Sequence, residues 1–239
     1  MRIVRTTLRW LALLALLAPA ARAQDTDLEL VLLADASGSI SPAELAFQRD
    51  SYAAAITDPR VLAAIADTAY GSIAVTYVEW ATNQAVVVPW TRIATEAQAQ
   101  AFADALSGPP RMAVGRNAIG SALLFGRDLI EGNDIDGWRR VIDFSGDTDG
   151  NSSGPPIEAA RDEVVASGIT INALAILSER SVMDGRDILV ETYERRIIGG
   201  ANAFVLAAET RDAFADAVRR KLILEIAGEV PHRREIAAR

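Results

Sequence analysis

The chain has 239 residues, of which 50% are hydrophobic and 23% are charged, and its formal net charge is −8 at neutral pH. This is the composition of a globular protein with one sizeable core, and the acidic balance disfavours binding to nucleic acid or to anionic membranes. Because the chain contains no cysteine, disulfides, thiolate metal sites and cysteine catalysis are excluded.

The first 23 residues have the pattern of a secretory signal peptide. Basic residues precede an apolar run from Trp10 to Ala20, and Ala21-Arg22-Ala23 has the small-residue pattern of a cleavage site. The run is too short for a membrane anchor, which needs about 20 apolar residues. We therefore expect cleavage after Ala23, and no cysteine is present there to carry a lipid. Residues 1–23 contain four of the 24 basic residues and no acid, so the mature chain is more acidic still, with a net charge near −12.

Apolar runs and helix-start signals predict the elements of the first half of the chain. In chain order they are a strand Leu28–Ala34, a helix from Pro42 to about Ile56, a short helix from Asp58-Pro59 to about Ala66, and strands Ser72–Trp80 and Ala85–Pro89. Ser41 is the expected N-cap of the first helix, because Pro42 follows it and Glu44 completes a capping box. The last two strands are so close that they are expected to pair as an antiparallel hairpin.

Helices and strands alternate through the second half. The predicted elements are helices Thr95–Leu106 and Ala118–Ile130, strand Arg140–Phe144, helix Ile157–Ser167, strand Thr170–Leu177, helix Asp187–Ile198, strand Ala203–Ala207 and helix Thr210–Ile226. This alternation predicts an α/β fold of three layers, with a doubly wound, mostly parallel six-stranded sheet and one antiparallel edge strand. We expect one domain over residues 24–228, followed by a polar C-terminal tail over residues 229–239.

Three polar loops are expected at the carboxyl ends of strands, where open α/β sheets bind their ligands. They are Asp35-Ala36-Ser37-Gly38-Ser39, Gly115-Arg116-Asn117 and Ser145-Gly146-Asp147. Carboxylate, hydroxyl and amide oxygens are hard donors, which suit Mg²⁺, Mn²⁺ or Ca²⁺. The sequence therefore predicts a divalent cation site. Glu79, next to Trp80 at the end of the second strand, is a candidate for a further acid near this face, although a glutamate in such a position is more often solvated or paired.

The first of these loops carries a family resemblance. Asp35-x-Ser37-x-Ser39 after a buried strand resembles the D-x-S-x-S signature of von Willebrand factor A domains, and the order of elements resembles that Rossmann-like fold over nearly the whole mature chain. A bacterial family of secreted von Willebrand A-like proteins with no assigned function is more similar still. The stretches that carry this second resemblance are 77-YVEWA-81, 86-VVVPWT-91, 141-VIDFSGD-147, 168-GITINALAI-176, 198-IGG-200 with 203-AFV-205, and 220-RKLILEI-226.

The resemblance implies a metal-ion-dependent adhesion site, or MIDAS. In the family, the Asp and both Ser of the signature bind the metal, together with a Thr of a second loop and an Asp of a third. Asp35, Ser37 and Ser39 match the signature. Asn117 stands where the family has the Thr, and its amide oxygen can also bind a hard cation.

The third loop departs from the family pattern as well. The usual Thr-Asp-Gly is replaced by Ser145-Gly146-Asp147, so Asp147 is the better candidate for the acid and Asp143 is the alternative. Arg116, beside Asn117, would oppose a cation if its side chain pointed inward.

A second kind of calcium site competes for the third loop. The residues at positions 1, 3, 5 and 12 have the ligand spacing of an EF-hand loop, namely Asp147, Asp149, Asn151 and Glu158. The sixth position is Ser152 instead of the expected Gly, and Pro155-Pro156 interrupts the segment. A solvated turn before a helix is the alternative interpretation.

The loops contain no recognisable catalytic arrangement. The only histidine is His232, in the polar tail, no G-x-S-x-G elbow surrounds Ser37 or Ser39, and no phosphate-binding G-x-x-x-x-G-K-[ST] loop occurs. We expect a non-enzymatic, metal-dependent protein-binding module in the periplasm or outside the cell, with an Asp or Glu of the partner completing the metal shell. A metal-free scaffold and a metal-assisted hydrolase are the alternatives.

Overall fold

The computed structural model describes residues 24–177, 182–183 and 186–231. The predicted signal peptide, residues 1–23, lies outside the described residues, as do His232 and the tail beyond it. The expected domain limits therefore stay predictions. Within the described ranges, no helix has both the length and the apolar character needed to cross a bilayer.

The middle layer of the fold is a six-stranded sheet. In chain order the strands are β1 (Gln24–Asp35), β2 (Ile73–Trp80), β3 (Gln84–Ile93), β4 (Ile135–Gly146), β5 (Thr170–Ile176), the short β6 (Val182–Met183) and β7 (Arg186–Asp187), and β8 (Val205–Ala208). The spatial order is β3-β2-β1-β4-β5-β8, while β6 and β7 form a separate antiparallel pair. Every neighbouring pair of the large sheet is parallel except β2 with β3. The predicted α/β fold, with a mostly parallel six-stranded sheet and one antiparallel edge strand, is confirmed.

Among the described residues, seven helices accompany the sheet. They are α1 (Pro42–Ile56), α2 (Pro59–Ala66), α3 (Glu96–Ser107), α4 (Ile119–Glu131), α5 (Ile157–Ala166), α6 (Ile188–Arg196) and α7 (Arg211–Ala227). The predicted capping box of α1 is present, because Glu44 N donates to Ser41 Oγ and Ser41 N donates to the Glu44 carboxylate. Thr210 caps α7 by accepting a hydrogen bond of 3.1 Å from Ala213 N.

The helices cover the sheet on both faces because β1 is apolar on both sides. Leu30 and Leu32 belong to a core that α1, α2, α3 and α7 close. Val31 and Leu33 belong to a second core, closed by α4, α5 and α6. A continuous apolar run is the pattern of a strand that is buried on both faces. The result is the predicted three-layer arrangement.

The strand order places three loops together. The chain leaves β1 for β2 and β3 on one side, and later returns to β4 on the other side, so the order reverses at β1. Asp35, the last residue of β1, pairs with Trp80 at the end of β2, and Ala34 pairs with Ser145 near the end of β4. The three strands thus end at one level, beside the switch point where α/β sheets bind ligands.

Three strands are longer than predicted, and one pair was missed. Strand β1 begins at Gln24, four residues before the predicted Leu28. The outer half of β4, from Ile135, alternates between half-buried and exposed residues, so it lacks the apolar run that identified its inner half. Strand β3 continues past Pro89 to Ile93, because it lies at the edge of the sheet and Pro89 falls within a register shift against β2. Asp187 was predicted to start α6, but it ends β7.

Candidate metal site

Backbone and side-chain hydrogen bonds join the three polar loops. Gly38 N donates to Gly115 O at 2.9 Å, which ties the first loop to the second. Ser152 N donates to Asn117 O at 2.7 Å, which ties the second loop to the segment after β4. The first and third loops meet where Ser39 Oγ donates to Asp147 Oδ1 at 3.4 Å. The structure therefore brings together the three loops that the sequence singled out.

Asp35 is the buried centre of the first loop. Its Oδ1 accepts a hydrogen bond of 2.8 Å from Ser37 N, which turns the chain sharply after β1. The hydroxyls of Ser37 and Ser39 lie 3.1 Å apart, with Ser37 buried and Ser39 exposed. The other carboxylate oxygen, Asp35 Oδ2, is buried and has no hydrogen-bond partner among the described residues. Such an oxygen is costly to leave unpaired, by about 1–3 kcal/mol or more.

The acids of the site hold their protons more tightly than free carboxylates do. Burial raises the pKa of Asp35 to about 7, and the nearby charge of Asp147 acts in the same direction. Burial also raises the pKa of Asp147, although the hydrogen bond from Ser39 opposes the change. In the absence of a cation, burial and the charge of Asp147 therefore oppose ionisation of Asp35, and a bound divalent cation would favour the ionised carboxylate.

Asn117 contributes a second unsatisfied oxygen. Its Oδ1 is buried and has no hydrogen-bond partner among the described residues. The side chain of the preceding Arg116 is exposed, so the guanidinium does not occupy the interior of the site. The amide oxygen that replaces the family's Thr hydroxyl is therefore available to a ligand.

The two candidate acids of the third loop lie in different environments. Asp147 contacts Ser39, whereas Asp143 forms an ion pair of 2.7 Å with the buried Lys221 of α7. Lys221 also pairs with Glu225 at 2.8 Å. Asp143 therefore belongs to a charged cluster between β4 and α7, and Asp147 is the acid that the structure brings to the serines.

Glu79, on β2, is an acid that supports the segment before the second loop. Its carboxylate is fully buried and pairs with Arg49 of α1. The second carboxylate oxygen accepts a hydrogen bond of 2.8 Å from Met112 N. Arg49 in turn donates to the carbonyl oxygens of Pro109 and Pro110. The pair therefore holds the segment that leads to Asn117, and Glu79 is already engaged there instead of facing the metal loops.

The turn between β2 and β3 holds the same segment from outside, a role that the sequence analysis missed. Thr82 Oγ1 accepts from Arg116 N at 2.8 Å and donates to Arg116 O at 3.1 Å. Asn83 accepts from Val114 N at 2.9 Å and donates to Met112 O at 3.1 Å. The only available signal was polar residues in a short turn, which does not reveal a contact so distant in sequence.

Aromatic side chains support the third loop from below. Trp80 stacks on Phe144 with ring centroids 5.0 Å apart, and its Nε1 donates to Ser145 O at 3.1 Å. The buried Tyr193 donates its hydroxyl to Thr148 O at 2.9 Å. Trp138, in the outer half of β4, is by contrast 75% exposed.

The EF-hand interpretation of the third loop is not supported by its contacts. Glu158 pairs with Arg196 at 2.6 Å in the first turn of α5. Asn151 accepts from Gly120 N at 3.3 Å and donates to Pro155 O at 2.8 Å, so its amide links α4 to the loop. Both side chains are thus engaged elsewhere, whereas Asp147 accepts a hydrogen bond from Ser39.

The oxygen donors of the candidate site suit a hard cation that is bound by only one or two carboxylates. Within the described ranges, no three or more His, Cys, Asp and Glu residues cluster in a way that could hold a metal. The candidate site instead combines two carboxylates with hydroxyl and amide oxygens. Mg²⁺ commonly binds through one or two carboxylates and retains several waters. The donor set and its two unpartnered oxygens fit such an ion.

Comparison with protein families identifies the chain. The family described as "Protein of unknown function (DUF1194)" matches residues 25–230. The chain belongs to the DUF1194 family. No curated protein is significantly similar in sequence to this DUF1194 protein.

Solved structures show a von Willebrand A-like fold for the DUF1194 protein. A von Willebrand factor type A protein from Catenulispora acidiphila aligns with a TM-score of 0.56 at 15% identity, over 84% of this chain and 43% of that one. The pilus adhesin SpaC from Lactobacillus rhamnosus GG, in its open conformation, aligns with a TM-score of 0.60 at 15% identity, over 84% of this chain and 30% of that one.

A third similar structure contains a metal. Proximal thread matrix protein 1 from the mussel byssus, with a zinc-occupied MIDAS motif, aligns with a TM-score of 0.59 at 15% identity, over 87% of this chain and 50% of that one. The DUF1194 protein thus spans half or less of the length of each of these three chains. The resemblance to von Willebrand A domains is confirmed at the level of the fold.

Proposed function

We propose that this DUF1194 protein is a metal-dependent protein-binding module of the adhesion type. The observation that carries the proposal is the pair of buried oxygens, Asp35 Oδ2 and Asn117 Oδ1, that lack hydrogen-bond partners among the described residues. They belong to loops that a backbone hydrogen bond joins directly. Buried polar atoms are normally satisfied, so two unsatisfied oxygens on adjoining loops favour a missing ligand.

The proposed ligand set comprises the five residues that the sequence indicated. Asp35, Ser37, Ser39, Asn117 and Asp147 would hold Mg²⁺ directly or through water, and Mn²⁺ or Ca²⁺ are the alternatives. When bound, the ion offers a coordination position to an oxygen from outside. The chain's own residues orient that position, because hydrogen bonds of Ser37 and Ser39 fix the first loop.

The proposed partner is a protein whose Asp or Glu side chain completes the metal shell. A pilus adhesin and a byssal thread matrix protein with a metal-occupied MIDAS share the fold, which supports an adhesive role. We propose that the protein works in the periplasm or outside the cell after removal of residues 1–23. Catalysis is not part of the proposal.

Calorimetric titration tests the metal site. Wild-type protein freed of residues 1–23 is titrated with Mg²⁺, Mn²⁺ and Ca²⁺, alongside Asp35→Asn, which keeps the shape of the side chain but loses its charge. Asp50→Asn, which changes an exposed acid of α1, is the matched control. We expect saturable binding in the wild type and the control, and at least a tenfold loss in Asp35→Asn. Equal binding by all three proteins would overturn the proposed site.

The departure of the second and third loops from the family pattern favours one other function, a metal-free interaction scaffold. Asn117 replaces the Thr, and Asp147 stands one residue later than the family's acid. The scaffold predicts no heat of binding with any of the three cations, and partner binding that chelator leaves unchanged. A metal-assisted hydrolase would instead turn over esters or phosphoesters in a manner that chelator abolishes.

A further inference from the structure

Several side chains are exposed along the segment from Met112 to Arg116, which leads to the candidate metal ligand Asn117. Met112 is 44% exposed and Val114 is 59% exposed, whereas Ala113 between them is fully buried. Arg116 is exposed as well. We name Met112, Val114 and Arg116 the contact ridge. Large apolar side chains that protrude next to a ligand site commonly mark a surface for a partner.

The contact ridge stands on a backbone that is held in place. Hydrogen bonds from Met112 N to Glu79 and from Val114 N to Asn83 fix the apolar part of the ridge. Thr82 fixes the cationic end by exchanging two hydrogen bonds with the Arg116 backbone. A surface that is already ordered loses less entropy when a partner binds. The ridge is therefore suited to binding without rearrangement.

Arg116 is an unusual charge in this position. Its guanidinium has no hydrogen bond or ion pair with any described residue, whereas Arg49, Arg127 and Arg196 are each paired with acids. The chain as a whole is acidic, with a formal net charge of −8. An exposed, unpaired cation next to a site with two carboxylates indicates a partner that brings negative charge.

We infer that the contact ridge binds a second acidic residue of the partner. The partner segment carries two acidic residues that flank an apolar one. One acid completes the metal shell, the apolar side chain packs on Met112 and Val114, and the second acid pairs with Arg116. This inference rests on the proposed function. The metal alone would bind any accessible carboxylate. The contact ridge would restrict binding to partners that also carry the apolar residue and the second acid.

A peptide selection tests the partner chemistry without knowledge of the natural partner. A display library of random 12-residue peptides is selected on immobilised wild-type protein in Mg²⁺, and bound members are eluted with chelator. The same selection is run on Arg116→Glu and Val114→Ser. Val230→Ser, an equally small change at an exposed valine outside the ridge, and Arg92→Gln, which lies on β3 opposite the start of β2 and so at the other end of these strands, are the controls.

We expect the wild type and both controls to recover peptides with an apolar residue between two acids. Arg116→Glu should lose the second acid or replace it with a base, and Val114→Ser should lose the apolar preference. A recovered peptide should bind Arg116→Glu about three- to tenfold more weakly than wild type. Chelator-eluted peptides with one acid only, or identical peptides from Arg116→Glu, would overturn the inference while leaving metal-dependent capture intact. Recovery of no chelator-eluted peptide would overturn the inference and the proposed function together.

Discussion

Glu79 and Arg49 form an ion pair that is buried under the second loop, although each belongs to a different element. Glu79 lies on β2 and Arg49 lies on α1, and the side chains are 0% and 8% exposed respectively. One carboxylate oxygen accepts from Arg49, and the other accepts from Met112 N. The pair thereby connects the sheet and a helix to the loop that carries Asn117.

Removing one member of this pair is predicted to destabilise the protein and to weaken metal binding. Glu79→Ala leaves the Arg49 charge buried and unpaired, which costs about 3–5 kcal/mol. The loop also loses its hydrogen bond at Met112 N, so Asn117 is less well positioned. Chemical denaturation measures the first effect, and calorimetry with Mg²⁺ measures the second.

A double variant separates the cost of the unpaired Arg49 charge from the role of Glu79 in positioning the loop. Glu79→Ala with Arg49→Met removes the unpaired charge, so we expect it to regain part of the lost stability. Metal affinity should stay low, because the loop is still not held. Full recovery of Mg²⁺ affinity in the double variant would contradict the positioning role of Glu79.

Metal affinity is predicted to fall as the pH falls below 7. The pKa of Asp35 is raised to about 7 by burial and by the charge of Asp147, and a cation requires the ionised carboxylate. Between pH 8 and pH 6 most of the Asp35 side chain becomes protonated, so we expect an affinity loss of about tenfold. Titration with Mg²⁺ at three pH values measures it. An affinity that does not change with pH over this range would argue against Asp35 as a ligand.

The metal-free protein is predicted to show the opposite trend in stability. A carboxyl whose pKa is raised in the folded state binds more protons there than in the unfolded state, so stability falls as pH rises from about 4 to about 7. Asp35 and Glu225, whose pKa burial also raises, both act in this direction. Asp35→Asn should remove part of the slope and be more stable than wild type at pH 8 in chelator. Denaturation curves across this range test the sign.

Asn117→Ala is predicted to affect the metal more than the fold. The amide oxygen has no hydrogen-bond partner among the described residues, so its removal should change stability in chelator by less than about 1 kcal/mol. Mg²⁺ affinity should fall about tenfold through loss of one donor oxygen. Asn151→Ala is the matched control, because that amide is bonded to α4 and to Pro155. The control should lose stability with a smaller effect on affinity.

Gly115→Ala is predicted to disturb the second loop. Gly115 has φ 107°, and a Cβ there would lie 2.5 Å from Thr82 Oγ1. We expect a loss of about 1–3 kcal/mol together with weaker Mg²⁺ binding. Gly108→Ala is the control, since no atom lies within 4 Å of the added carbon. Similar stability of the two variants in thermal unfolding would contradict the prediction that a side chain at position 115 clashes with Thr82.

The sequence predicted the fold well because local signals agree with tertiary packing here. The apolar run of β1 and the capping box at Ser41 each specify an element and also match the burial that the element acquires. Pro89 was a misleading signal, because a proline in an edge strand does not have to end it. The short β6 and β7 carry no strong pattern, so they were missed.

The candidate site was predictable only in part. Asp35, Ser37 and Ser39 follow one strand, and their role is readable from that position. Choosing Asp147 over Asp143 required the structure, because the pairing of Asp143 with Lys221 joins distant parts of the chain. The supports at Glu79 and Thr82 were hidden for the same reason.

The central place of β1 has a consequence for how the chain acquires its structure. β1 precedes the other strands of the described sheet in the chain, yet one of its two neighbours is β4, which ends at Gly146. Until that segment exists, the apolar first strand has an open edge of the kind that promotes aggregation. The serines at its end cannot meet Asp147 before then either. A cation that binds these loops would therefore bind only the assembled sheet. It would stabilise the native state, and the stabilisation would grow with the cation concentration.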